Sequence, residues 1–188
     1  MMNNALKIIK ERRTTRKFKL EQIKDEELKE IIDAGLYAPS AHNQQSWNFT
    51  VIQNKKVIQE LSSSTKEMAK NIPDEMIRKM ANNEKFNIFY DAPTVIIVSG
   101  KEENMMPEVD CAAATQNMLL AAESLDIGAC WNGFVTLLFN NEEGFKKYKN
   151  TLQIPEGFKP YYAVALGYKE VRMTKAPTRR ENTVQYIK

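Results

Sequence analysis

The chain is expected to fold as an α/β or α+β protein. Short apolar runs that suit strands, such as Val95-Ile96-Ile97-Val98 and Tyr161–Tyr168, alternate along it with stretches of helical spacing. Its 188 residues are enough for one core of ordinary size. No internal repeat, low-complexity tract or linker divides it, so residues 1–188 are expected to form one domain.

The elements follow in order. Asn3 or Asn4 is placed to cap a first helix carrying Leu6, Ile8 and Ile9 and ending near an arginine cluster. Asp25 starts a second, with Leu28, Ile31, Ile32 and Leu36 on one face, stopped at Ala38-Pro39. Residues 48–53 read as a strand and 57–61 as a short helix. Residues 64–83 carry Met68, Ala69, Ile72, Met76, Ile77 and Met80 at helical spacing and are interrupted by Pro73, which predicts two helical pieces. Their methionines suit either adaptable core or a mobile cover over a ligand. Pro93–Gly100 reads as a buried strand. Glu108–Leu125 is apolar around nearly its whole circumference. Such a helix is buried on all sides, either by a second copy of the chain or by its own domain. Asp126-Ile127-Gly128 is expected to end it with a capping glycine. A strand end and loop over 129–135, a short helix over 141–149 and a strand over 161–168 follow. The polar, basic tail from Lys175 ends in Val184, Tyr186 and Ile187, as a last strand or an extended arm.

Composition removes several function classes. A net charge of +3, with acids and bases interspersed, is too mild to argue for nucleic acid or a membrane surface. The longest strongly apolar run is too short to span a bilayer, and the first residues lack a leader's apolar stretch, so a soluble cytoplasmic protein is expected. Cys111 and Cys130 lack the CxxC spacing and suit free thiols in a reducing compartment. One histidine, His42, leaves no metal cluster.

Four constellations remain. Arg12-Arg13-Thr14-Thr15-Arg16 sets three guanidiniums and two hydroxyls within five residues, a set that matches a phosphate bidentately. Between Pro39 and Trp47, Asn43, Gln44 and Gln45 offer donors and acceptors to a flat heterocycle or its hydroxylated chain. Asn132-Gly133 allows backbone close to a planar ligand. Arg179-Arg180 provides a second basic pair. Each also has an ordinary reading: a solvated helix end, a polar loop, a simple turn, a solvated tail.

Together and in this order they resemble the FMN-dependent nitroreductase family over nearly the whole chain. The family's Arg-Arg-Ser-x-Arg-x-Phe is matched by Arg12-Arg13-Thr14-Thr15-Arg16-Lys17-Phe18. Its Ala-Pro-Ser-x-x-Asn-x-Gln-Pro-Trp is matched by residues 38–47, with Ser46 where proline is usual. The resemblance implies an α+β, three-layer α/β/α fold. Its central sheet would be mixed but mostly antiparallel, with a long buried dimer helix and an extended C-terminal arm. It implies a homodimer with two FMN sites at the subunit interface. Arg12, Thr14, Arg179 and Arg180 would hold the phosphate, with Arg13 in the same region and Arg16 near N1 and O2 of the ring. Pro39, Ser40, Ala41 and Asn43, beside Gln45, would come from the other subunit. Asn132 and Gly133 would lie over the ring near N5, and Lys85 or Asn87 would touch the pyrimidine edge. NADH or NADPH would be a transient hydride donor, fitting the absence of a GxGxxG fingerprint. A nitroaromatic, quinone or similar small acceptor would follow by ping-pong exchange, with no catalytic side chain and no metal. A reductive dehalogenase or a flavin-consuming enzyme would share this cofactor site. A non-catalytic flavin-binding redox sensor is the alternative from another class.

Overall fold

The computed structural model describes residues 3–188. Helices α1 (Asn4–Glu11) and α2 (Asp25–Leu36) precede strand β1 (Trp47–Ile52). Then come α3 (Lys55–Ala69), α4 (Glu75–Asn82), β2 (Thr94–Lys101), α5 (Pro107–Ser124) and β3 (Ile127–Asn132). Helices α6 (Thr136–Phe139) and α7 (Glu142–Lys149) lead to the last strand, β4 (Phe158–Tyr168). Side chains that can accept from orphan amides mark where most helices begin. Asn3 accepts from the Ala5 amide at 2.9 Å, Asp74 from Ile77 at 2.9 Å, and Asn141 from Gly144 at 2.9 Å. Helix α5 instead starts on Pro107, whose missing N–H costs nothing there.

The sheet runs β1-β2-β4-β3, and each neighbouring pair is antiparallel. A parallel bridge from Thr14 to Ala129 on the outer side of β3 supplies its mixed character. Side chains alternate across the sheet as strand geometry requires. Val95, Ile97, Ala163, Ala165 and Cys130 face one core with Leu61, Leu138 and Tyr148 from α3, α6 and α7. Ile96, Val98, Val164, Leu166 and Ala129 face a second core with Ile31 of α2 and Met118 of α5. Helices on both faces of an antiparallel sheet give the three-layer α+β architecture.

The expected short helix at 57–61 and the first of the two pieces in 64–83 are one element, α3. Pro73 falls in the turn before α4. Met68 packs against the first core and Ala69 and Ala81 are buried, whereas Met76 stays 67% exposed, so the stripe is divided between core and surface. Gly128 is not the cap of α5. Asp126 takes the left-handed conformation (φ 60°) that ends the helix, and Gly128 lies within β3. Helix α5 buries Cys111, Ala114, Thr115, Met118, Leu119 and Ala122 in its own domain, while Val109 is 55% exposed. From Val171 onward the tail is an exposed arm with no regular secondary structure.

Candidate functional site

The arginine cluster runs along the outer edge of β3. The Thr15 amide donates to the Ala129 carbonyl at 3.0 Å and the Lys19 amide to the Tyr168 carbonyl at 2.9 Å, so the segment is stitched to β3 and to the end of β4. Gly128 permits this. A Cβ there would lie 2.7 Å from Thr15 Cγ2, so only a bare backbone lets Thr15 sit so close, itself buried.

The three guanidiniums part company. Arg13 turns back to cap α1, donating to the carbonyls of Lys10 (2.7 Å) and Arg12 (2.8 Å). It lines a cavity of about 280 Å³ with Glu123 and Lys169. Arg12 and Arg16 both act on the Cys130 thiol, so both lie towards β3. Burial pushes that thiol's pKa up, and the two cations pull against it. Arg12 is half-buried, and its guanidinium makes no hydrogen bond or ion pair among the described residues. A half-buried cation with no anion is a site looking for one.

Arg16 opens into a cavity of about 600 Å³, whose wall includes Lys85, Phe86, Asn87 and Tyr90. Its Nε donates to the Tyr90 hydroxyl at 3.3 Å, and its Cζ lies 5.7 Å from the Tyr90 ring centroid. Lys85 and Asn87, the two residues expected at a pyrimidine edge, therefore share the cavity with Arg16. They ride on a turn held from three sides. Lys66 Nζ donates to the carbonyls of Asn83 (2.7 Å) and Phe86 (2.9 Å). Ser62 Oγ accepts from the Ile88 amide at 3.1 Å. Asn132 Nδ2 donates to the Ile88 carbonyl.

Asn132 itself ends β3. Its buried side chain spans from Ile88 to the Val135 amide, which donates to Asn132 Oδ1 at 3.2 Å. Gly133 is exposed, and a Cβ there would meet no atom within 4 Å, so nothing in the protomer itself requires a glycine.

The amide-rich loop lies elsewhere. It feeds β1, the opposite edge strand from β3, with β2 and β4 between them. At about 4.8 Å per strand spacing the two motifs belong to edges about 14 Å apart. Pro39 and residues 42–45 are exposed, and His42, Asn43 and Gln45 adopt left-handed backbone (φ 50°, 55° and 46°). Each such residue costs about 1 kcal/mol, so the loop needs outside support. The Gln45 amide donates to Ser40 Oγ at 2.9 Å, and Gln45 Nε2 to Asn43 Oδ1 at 3.1 Å. The Ala41 amide donates to the Asp110 carboxylate at 2.9 Å. Arg179 and Arg180 sit on the exposed arm, and Arg179 reaches only the Pro177 carbonyl, at 3.5 Å. The chain therefore brings together Arg12, Thr14, Arg16, Lys85, Asn87 and Gly133 around the β3 edge. Residues 39–45 belong to the opposite sheet edge, and no hydrogen bond or ion pair among the described residues ties Arg179 or Arg180 to the β3 edge.

Tyr90, Ser62, Lys66 and Asp110 were not foreseen. An acid set between Val109 and Cys111 at the start of an apolar helix was the one available signal, at Asp110. Among the described residues no His, Cys, Asp and Glu grouping could hold a metal, and no helix is long and apolar enough to cross a membrane. Both cysteines are free and buried.

Comparison with known proteins bears on this geometry. The model of the Nitroreductase family matches residues 9–168. A protein of Archaeoglobus fulgidus, provisionally named NADH dehydrogenase/NAD(P)H nitroreductase, is 34% identical over 173 residues, covering 89% of this chain and 86% of its own. A crystal structure of a nitroreductase with bound FMN from Bacteroides fragilis superposes with a TM-score of 0.89 at 34% identity, over 100% of both chains. One from Desulfitobacterium hafniense, also with bound FMN, gives 0.91 at 30% identity, again over 100% of both.

Proposed function

The chain belongs to the nitroreductase family, and we propose that it is an FMN-dependent oxidoreductase that takes hydride from NADH or NADPH and passes it to a small oxidised acceptor. The observation that carries this reading is the Arg12 guanidinium, half-buried towards β3 with no hydrogen bond or ion pair among the described residues, on the same segment as Arg16, which lines a cavity with Lys85 and Asn87. The residues present fit FMN. Arg12 and Thr14 offer a cation and a hydroxyl to its phosphate. Arg16, Lys85 and Asn87 offer donors to the polar edge of its ring, and the open space above Gly133 admits a flat group against the backbone.

FMN, when bound, supplies the two-electron hydride chemistry. The chain's own part is electrostatic. The Arg16 guanidinium brings positive charge to the cavity, which favours added negative charge on whatever occupies it. Tyr90 holds that guanidinium in place through its hydroxyl and ring face. No side chain needs to act as a nucleophile. The open space at Gly133, where a Cβ would meet no atom within 4 Å, suits successive occupation by nicotinamide donor and acceptor, a ping-pong order. Nitroaromatics and quinones are the acceptor class we propose.

The working unit in this reading is a homodimer with two FMN sites at the interface. Residues 39–45, stranded at the far sheet edge of their own protomer, would reach the partner's cofactor, and Arg179 and Arg180 on the exposed arm would complete the phosphate contacts. Exposed apolar residues support this, among them Leu6, Ile9, Val109, Tyr186 and Ile187. Absorbance of the purified protein tests the cofactor: the two visible bands of oxidised flavin are expected. A preparation that stays colourless after incubation with FMN refutes the reading. Initial rates of NAD(P)H oxidation at several acceptor concentrations test the order, with parallel double-reciprocal lines expected.

A further inference from the structure

We propose that Asp110 is the positioning residue of the 39–45 loop, and that FMN retention depends on it although it lies away from the Arg12–Arg16 edge of its own protomer. The inference rests on the FMN reading above. Asp110 sits in the first turn of α5 and is only 3% exposed, yet it has no cation partner among the described residues. Its two oxygens are spent on the loop. Oδ1 accepts from the Ala41 amide at 2.9 Å and Oδ2 from the Ser46 hydroxyl at 2.6 Å. The positive end of the α5 dipole further favours the buried negative charge.

These bonds grip the loop at both ends of its left-handed stretch, with His42, Asn43 and Gln45 between them. Ser46 is itself 1% exposed and also accepts from Asn104 Nδ2 at 3.0 Å. Gln44 Oε1 accepts from the Met105 amide at 2.9 Å, so the segment leading into α5 holds the loop middle as well. A carboxylate accepts from both loop groups at once. A carboxamide that accepts from the Ala41 amide turns its N–H at Ser46 Oγ, which already accepts from Asn104, and the buried Ser46 hydroxyl then loses the acceptor for its own proton. Without the grip the loop would sample conformations in which residues 39–45 do not meet a ligand, and affinity falls by the fraction of time so spent.

The test compares Asp110→Asn, Ser46→Ala and the double variant as full-length proteins. FMN affinity is read by quenching of flavin fluorescence and local opening by amide exchange. We expect Asp110→Asn to raise the FMN dissociation constant by about tenfold or more. The Ala41 amide should exchange faster while amides in the middle of α5 keep their protection. Ser46→Ala should move both readouts the same way by less, and the double variant should be no worse than Asp110→Asn alone, because both changes break one grip. An unchanged dissociation constant in both single variants overturns the proposal, as does loss of protection spread evenly through α5. If the wild-type protein binds no FMN, the oxidoreductase reading falls, and unaltered Ala41 exchange in Asp110→Asn would then overturn the grip as well.

Discussion

Replacing Gly128 by alanine would test how tightly the arginine segment is fitted to the sheet. The new Cβ would lie 2.7 Å from Thr15 Cγ2, 2.9 Å from Thr15 Cβ and 3.0 Å from Thr15 Oγ1, where ordinary contact begins at 3.4 Å. Rotating the threonine exchanges Cγ2 for Oγ1 but leaves its Cβ in place. Backbone must therefore give, by up to about 0.7 Å, the difference between 3.4 and 2.7 Å. That shift strains the 3.0 Å bond from the Thr15 amide to Ala129 and carries Arg16 with it. Overpacking of this kind costs about 2 kcal/mol, and the loss of unfolded-chain freedom on going from glycine to alanine returns about 0.5 kcal/mol of it. For a chain of this length the net effect is a fall in Tm of about 3–6 °C. Thermal unfolding followed by circular dichroism measures it. Thr15→Ala in the Gly128→Ala background should recover part of the loss, since two of the three close atoms are removed. A Gly128→Ala protein as stable as the parent would refute the reasoning.

Other expectations follow from the same geometry. Arg12→Ala should weaken FMN binding by about 2 kcal/mol, about thirtyfold, measured by fluorescence titration. If Arg12→Ala and Arg179→Ala proteins both purify fully yellow, the phosphate assignment is wrong. Asn132→Ala strips partners from the Ile88 carbonyl and the Val135 amide and should cost about 2–3 kcal/mol in urea unfolding. Burial, reinforced by Asp110 and Glu108, pushes the Cys111 thiol up to about 12 from its ordinary 9.0. Below that ordinary value both states carry the proton. Above it only the unfolded chain ionises, so stability should decline as pH rises from 9 toward 12, and Cys111→Ala should show a shallower decline in unfolding measured across that range. Val109→Asp, at an exposed position of α5, should leave the protomer folded while shifting sedimentation toward a monomer.

Where physics is local, the sequence was readable. The period-3.6 face of Leu28 and Ile31 and the continuous apolar run of β2 became α2 and a strand buried along nearly its whole length, because only one arrangement of each satisfies its burial. The arginine cluster and the amide-rich loop were legible as chemistry but not as places. That Arg13 would cap α1, leaving Arg12 and Arg16 towards β3, depends on rotamers chosen by neighbours far along the chain. Gly128 misled because a glycine after a helix usually takes the left-handed position. Here Asp126 takes it two residues earlier, and the glycine is needed for the approach of Thr15 instead. The bond made by the Asn132 side chain was not legible either, because its partner, the Ile88 carbonyl, lies 44 residues away.

The position of β4 governs how the molecule assembles. It is the last strand along the chain, yet it lies between β2 and β3, which do not pair with each other. Until it inserts, both neighbours present a bare hydrogen-bonding edge, and a chain cut before Phe158 would leave those edges open to strands of other molecules. Its pairing with β2 also closes a long stretch of polypeptide before any ladder bond rewards the ordering. Folding should thus be slow, cooperative and prone to aggregation if interrupted, with no stable half-molecule to rest in.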